Sequence, residues 1–212
     1  MAIGLVGSEM CIRDSTIGTK FLWTAGGWFD YLNLRINGYQ FHMDLTAGKV
    51  SYEDPRLDAV FDHWRELIDP GYFLEDHASF SWQDAQAPQI NGEAAMYLIG
   101  NFYVPTFEAA GIGDQMDFFQ FPTIYEGVGV AEDAPTDTMH IPAGAKNVED
   151  AKKFLAFMSN AGAAGEWAKI AGMLSPNKNA PKPENRFSIM GAKMLAAADD
   201  LSLIHISEPT RP

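Results

Sequence analysis

The residues in this sequence that could do chemistry are aromatic rings and amides. The densest group is Gly100-Asn101-Phe102-Tyr103. It closes a short apolar run, Ala94 to Ile99, that lies between Gly92 and Gly100. A run of that length bounded by glycines reads as a buried strand. In an open α/β sheet, ligands bind beyond the carboxyl ends of the strands. A strand ending in this sequence would deliver an amide and two aromatic faces to that edge. The plainer alternative is a core strand, a turn and two packing rings.

Three more residues fit the same chemistry. Trp28 follows the pair Gly26-Gly27 as a helix begins, which would put it near the helix N-terminus, where backbone N–H groups are free. Its alternative is the core. Trp82 precedes a short helix that leads to Asn91, and could line a cleft or cover the edge of the core. Asp137 stands at the mouth of a strand candidate, Thr138 to Ile141. Rings with scattered amides and carboxylates suit a sugar. The apolar face of a pyranose stacks on a ring, and its hydroxyls need planar hydrogen-bonding groups. A polyamine or other cation would also favour acidic and aromatic groups, so it remains the nearest rival.

Other chemistries find no support. No GxxxxGK[ST], GxSxG or HExxH motif occurs. His42 and Asp44 are neighbours without a metal-ligand set and read as a solvated pair; His63 reads as solvated too. A glycosidase needs two carboxylates across a cleft, and spacing does not bring Glu93 and Asp137 together. No catalytic residue, metal or cofactor is therefore assigned. The net charge of −13 argues against nucleic acid, where a basic face supplies affinity. The apolar fraction of 47% is that of a globular chain, and no run is long enough to span a membrane.

The two ends stand apart from the rest. Residues 5–15 read LVGSEMCIRDS and residues 201–211 read LSLIHISEPTR. Written as DNA, the second string and the reverse complement of the first form one inverted repeat, which resembles a transposase-type sequencing adapter. Glu9, Arg13 and Asp14 interrupt any apolar leader core. Residues 1–15 and 201–212 are therefore expected to be non-native and to stay out of the core. Residues 16–200 would be a partial domain whose own termini, with any signal peptide or lipid anchor, lie beyond it. The single cysteine, Cys11, falls in the excluded part. The remainder has no disulfide, thiolate ligand or thiol nucleophile.

Elements that would position the candidate residues follow from periodicity. Helical spacing runs from Trp28 through Leu32 to Ile36, with Gly38 as its stop. Residues Tyr39 to Tyr52 suggest a hairpin or irregular excursion around Gly48. Asp54-Pro55 opens a helix whose apolar face is Leu57, Val60, Phe61, Trp64, Leu67 and Ile68. Val104 to Ala110 is a short helix, Met116 to Pro122 and Thr138 to Ile141 are strand candidates, and Val148 to Met158 is a strong helix facing Ala151, Phe154, Leu155 and Met158 one way. Further helices are expected over Ala161 to Ile170 and Leu195 to Ala198.

This succession resembles a family. A Gly-Glu-Ala-Ala-Met strand followed by Gly-x-aromatic is similar to the signature of extracellular solute-binding proteins of ABC importers, above all the carbohydrate-binding members. The order also matches: a long helix, a Gly-Tyr-Phe turn, a short helix before the strand, Pro-x-Gly-x-Lys-Asn, an Ala-x-x-Phe-Leu helix and a Leu-x-Pro turn. The resemblance spans nearly all of residues 16–200. It implies an α/β chain that is mainly one lobe of a type II periplasmic-binding-protein fold, whose two lobes close on a ligand like a hinge. It implies capture of a sugar or oligosaccharide by a monomer outside the cytoplasm, periplasmic or extracellular, and delivery to a membrane permease. The implied ligand contacts are Trp28 and the aromatic after the glycine, Phe102 here where Trp is usual; Asn101, Trp82 and Asp137 would stand beside them. A secreted carbohydrate-active enzyme and a polyamine or other small-solute binder are the alternatives.

Overall fold

Parallel strand pairing sets the frame of this chain. The computed structural model describes residues 13–202. The described residues divide into two units: 13–99, 120–134 and 198–202 in the first, and 100–119 and 135–197 in the second. In the first unit, β1 (Arg13–Thr16) pairs in parallel with β2 (Ala94–Tyr97), with Ser15 opposite Met96 and Thr16 opposite Tyr97. Phe73 bridges to Ser15 as well. Parallel partners need a long crossover. Here it contains α1 (Trp23–Ile36), α2 (Gly38–Thr46), α3 (Arg56–Ile68) and α4 (Gln86–Ile90). A second parallel ladder joins β3 (Ala131–Asp133) to β4 (Asp200–Ser202).

The core of this unit follows the helical spacing read from the sequence. Leu32 and Ile36 of α1 meet Phe41 and Leu45 of α2 and Leu57 and Val60 of α3, all buried. A second cluster holds Ile17, Trp28 and Phe73, with Trp64 and Phe121 packed against it. The Asp54-Pro55 start is observed: the Asp54 carboxylate accepts the Arg56 backbone N–H at 3.0 Å, as a cap should.

Several expectations change. Helix α1 begins at Trp23, so Gly26 and Gly27 lie inside it and Trp28 sits on its second turn. The tertiary packing of this helix overrides the cost of two interior glycines. Residues 39–52 form no hairpin. Gly38 takes φ +80°, which lets the chain turn after α1 and restart as α2, whose Phe41 and Leu45 fall four residues apart on the buried side. Residues 116–122 and 138–141 are not strands. A strand needs a neighbouring strand to take its backbone hydrogen bonds, and among the described residues no strand pairs with them. The ends also differ from expectation. Residues 13–15 join β1, residues 201–202 join β4, and Ser15 and Ser202 are buried. A ladder is built from backbone groups that any residue supplies, and serine is small enough to be covered. Ile204 and Ile206 lie outside the described residues.

Among its described residues the second unit is helical. A 3-10 turn over Asn101–Tyr103 leads into α5 (Val104–Ala109), followed by α6 (Val148–Met158), α7 (Ala161–Ala171) and α8 (Arg186–Ala197). Phe107 stacks edge-on with Tyr103 at 5.1 Å and with Phe187 of α8 at 4.9 Å. Helices α6 and α7 start on side-chain caps: Asn147 accepts from the Asp150 N–H and Asn160 from the Ala163 N–H. The helix expected only over Leu195 to Ala198 thus extends nine residues further back.

Candidate functional site

The clearest grouping of chemistry-bearing side chains lies in the first unit, at the carboxyl end of β1. There the chain passes Gly18 so close to its neighbour that a Cβ on Gly18 would meet the Ser81 carbonyl oxygen at 2.1 Å. Backbone bonds hold the approach: Thr19 N–H donates to His77 O at 2.9 Å and Lys20 N–H to Phe80 O at 3.0 Å. The Thr24 hydroxyl donates back to Gly18 O at 2.5 Å, fixing where α1 begins. Trp23, the first helical residue, then meets Trp82 edge-on, with ring centroids 6.2 Å apart. Trp82 is set from its other side by Tyr97, the last residue of β2, whose hydroxyl donates to the Trp82 carbonyl at 3.0 Å. The Asp84 carboxylate accepts from both the backbone and the hydroxyl of Ser81, and the Ser81 hydroxyl bond holds its pKa below the usual value.

Two indoles therefore stand at the carboxyl edge of a parallel pair, the place where such sheets bind ligands. Trp23 is 47% exposed and Trp82 is half-buried. Phe21 and Leu22 are exposed next to them. An aromatic surface of this kind can receive the apolar face of a sugar ring or a soft cation.

Trp28 takes the alternative role. It is buried, with its ring edge-on to Phe73 at 5.2 Å and to Phe121 at 5.7 Å, and its Nε1 has no hydrogen-bond partner. Asn101, Phe102 and Asp137 belong to the second unit. The Phe102 ring folds back over Gly100, where a Cβ would come within 2.4 Å of Phe102 Cε1. That is a physical reason for glycine two residues before the aromatic. Asn101 reaches the Phe187 carbonyl at 3.5 Å and is packed against Gly191, where a Cβ would approach its Nδ2 to 2.9 Å. Asp137 is exposed and lies outside any helix or strand.

Of the residues expected from the sequence, the structure thus joins Trp82 to an aromatic partner. That partner, Trp23, was not anticipated, because the glycine pair suggested a later helix start. The signal was present: the buried rungs Trp28, Leu32 and Ile36 extend back by one more step of four to Thr24, which is also buried.

Behind these residues α1 carries a buried polar network. Arg35, 1% exposed, donates to Phe121 O at 3.1 Å, to Ala131 O and to the Glu132 carboxylate at 2.6 Å. Tyr31 and Gln120 also donate to Glu132, at 2.9 and 3.0 Å. Burial, and then the Glu132 charge, raise the Tyr31 pKa. His42 is not the solvated residue expected. It is 1% exposed, contacts Ser202 Oγ at 3.2 Å, and burial pushes its pKa down to about 4. It is buried because α2 is a helix that turns this side chain inward. Asp44 stays at the surface with Gln40 and Lys49. Among the described residues, no three His, Cys, Asp or Glu side chains group as metal ligands, and no helix is long and apolar enough to cross a membrane.

Comparison with known proteins agrees with this architecture. The family model for the bacterial extracellular solute-binding protein matches residues 13–190. An uncharacterized ABC transporter extracellular-binding protein of Pyrococcus horikoshii, PH1214, is 31% identical over 173 residues, which are 82% of this chain and 38% of that protein. Among solved structures, the bacterial solute receptor AcbH, described as having an exclusive substrate preference for β-D-galactopyranose, superposes with a TM-score of 0.78 at 31% identity, over 92% of this chain and 50% of that one. A chitin oligosaccharide binding protein shares the fold, with a TM-score of 0.72 at 17% identity, over 91% of this chain and 50% of that one. The chain spans half or less of the length of these relatives.

Proposed function

The chain belongs to the bacterial extracellular solute-binding proteins, and from that premise we propose that the whole protein is the substrate-binding component of an ABC importer for a sugar or oligosaccharide. The observation that carries the ligand class is the Trp23–Trp82 pair at the carboxyl edge of the β1–β2 ladder. A pyranose stacks its C–H face on an indole and leaves its hydroxyls to amides and carboxylates. The family and its relatives above are binding proteins, so the mechanism is capture, closure around the ligand and delivery to a membrane permease, with no covalent step. In this reading the protein acts as a monomer in the periplasm or at the cell exterior. On the same reading, Trp23 and Trp82 supply ligand contacts.

The test is calorimetric titration of the whole protein, carrying the sequence this chain shares with its relatives, against galactose, xylose, chitin oligosaccharides and spermidine. Sugar binding that weakens by roughly 1–3 kcal/mol in Trp23→Ala and in Trp82→Ala, the range for removing a desolvated aromatic anchor, supports the proposal. Spermidine binding without sugar binding would replace it with the cation reading. Sugar binding indifferent to both substitutions would remove the site.

A further inference from the structure

Residues 120–134 enter the first unit and leave it again, and one side chain holds both of their ends. Arg35 donates to Phe121 O near the entry and to Ala131 O and Glu132 near the exit. The surrounding cluster has more acids than cations. Asp30 lies near Asp133, Asp133 near Glu132, and the Arg35 guanidinium is taken up by Glu132. The other charged or titratable groups around Asp30 are Tyr31 and Arg35 on α1, His42 on α2, Tyr52 from the turn after α2, and Glu132 and Asp133 on β3. Among the described residues no lysine acts on Asp30 or Asp133. His42 is 3.9 Å from the Asp30 carboxylate, beyond hydrogen-bond distance, and is held neutral by its own burial. Glu132 already takes the guanidinium, so an ionised Asp30, 2% exposed, would be an uncompensated buried charge. Such a charge is costly, and the group takes up a proton instead.

We propose that Asp30 and Asp133, set against the Arg35–Glu132 pair and neutral His42, form a proton-held clamp that fastens residues 120–134 to α1. Burial, and then the Asp133 charge, raise Asp30 to about 8; burial, and then Glu132, raise Asp133 to about 6. Both carboxyls bind protons more tightly when docked than when released. Their contribution to docking is therefore full at low pH and is lost as pH rises through about 6 and then about 8. His42 has the opposite sign. Its pKa is lowered, so its contribution is present above about 6.5 and is lost as pH falls toward about 4. Two acids outweigh one imidazole, so docking weakens as pH rises from about 4 to about 8.

The experiment is hydrogen exchange with mass spectrometry on the full chain, in half-unit steps from pH 7 to pH 9. The peptide containing Ala131–Asp133 is compared with one from α6, so that the intrinsic rise in exchange with pH cancels. With Asp30 near 8, the equilibrium for docking should fall about tenfold over that interval. Relative protection of the β3 peptide should fall by the same factor. Asp30→Asn, which stands in for the protonated acid, should abolish the fall. If Asp30→Asn does not fold, Asp133→Asn provides the second reading. Removing a like charge should move the loss of protection to lower pH. A β3 peptide whose protection relative to α6 is unchanged from pH 7 to 9 overturns the clamp. So does an Asp30→Asn chain with the wild-type fall, or an Asp133→Asn chain with the wild-type midpoint.

Discussion

Helices α1 and α6 both carry an apolar stripe at helical spacing, yet their surroundings are opposite. In α1 even the polar residues Asp30, Asn33 and Arg35 are buried. In α6 no residue is buried, and Phe154 and Phe157 are 56% and 60% exposed. Sequence pattern alone would have ranked α6 the better-packed helix. What decides is the covering layer. Around α1, helices α2 and α3 and strand β3 pack on several sides, so side chains of every kind lose their water. Beside α6 the principal described neighbour is α7, and the two leave an open apolar groove of about 440 Å³ lined by Phe157, Met158, Trp167 and Ile170. An amphipathic stripe says that a helix can be covered; it does not say that the covering layer is at hand.

The largest effect that would test this contrast is expected at Arg35. Arg35→Met leaves Glu132, 0% exposed, without its cation, and breaking a buried pair in this way costs about 3–5 kcal/mol. Urea unfolding followed by tryptophan fluorescence should show a matching fall in midpoint or a chain that does not fold. Arg35→Met combined with Glu132→Leu should recover much of the loss, since the uncompensated charge is then gone. A single variant as stable as the parent would mean that the α1 network is solvated.

Next in size is Trp28→Ala, expected to cost about 3–5 kcal/mol as a large-to-small change in a packed cluster. On the proposed function, the affinity of the whole protein for its sugar should change far less than stability. The reverse pattern would return Trp28 to the ligand site and weaken the distinction between it and Trp23.

How much of this was legible beforehand depends on the range of the interaction concerned. The Asp54 cap and the helix from Val148 to Met158 rest on neighbours within a few residues, and these the sequence carries. The strand at Ala94 was readable as a strand but not as a buried one, since its partner β1 is distant in the chain and Ala95 and Met96 are exposed. The burial of His42 and the pairing of Arg35 with Glu132 join residues far apart in the chain, and no local spacing points to them. The strands expected over 116–122 and 138–141 were wrong for a related reason. Their apolar pattern permits pairing, but a partner must come from elsewhere. At the candidate site, the sequence leaves Trp82 open between a cleft and the core edge, and Trp23 is hidden by a glycine pair that the helix absorbs.

A smaller effect is expected at the start of α6. Asn147→Ala removes the acceptor of the Asp150 N–H and should destabilise the helix by about 1 kcal/mol. Because α6 packs little, that loss should appear as faster exchange confined to 148–158. A global loss of stability would show that α6 is coupled to the rest as firmly as α1.

The smallest effect separates the two helices best. Phe154→Ser removes a large ring, and in a covered helix such a change would cost several kcal/mol. Here the ring is more than half exposed, and serine and phenylalanine differ little in helix propensity. The stability of this chain should therefore change by no more than about 0.5 kcal/mol, as for surface positions generally. Solubility should move in the other direction. Phe154, Phe157, Trp167 and Ile170 are all exposed in the second unit, and contiguous apolar surface of this kind promotes association. The double variant Phe154→Ser and Phe157→Ser should raise the concentration at which the chain stays monodisperse in light scattering, with an unchanged urea midpoint. A fall of 2 kcal/mol or more would show that a layer covers α6 in solution, and the contrast between the two helices would then be one of degree.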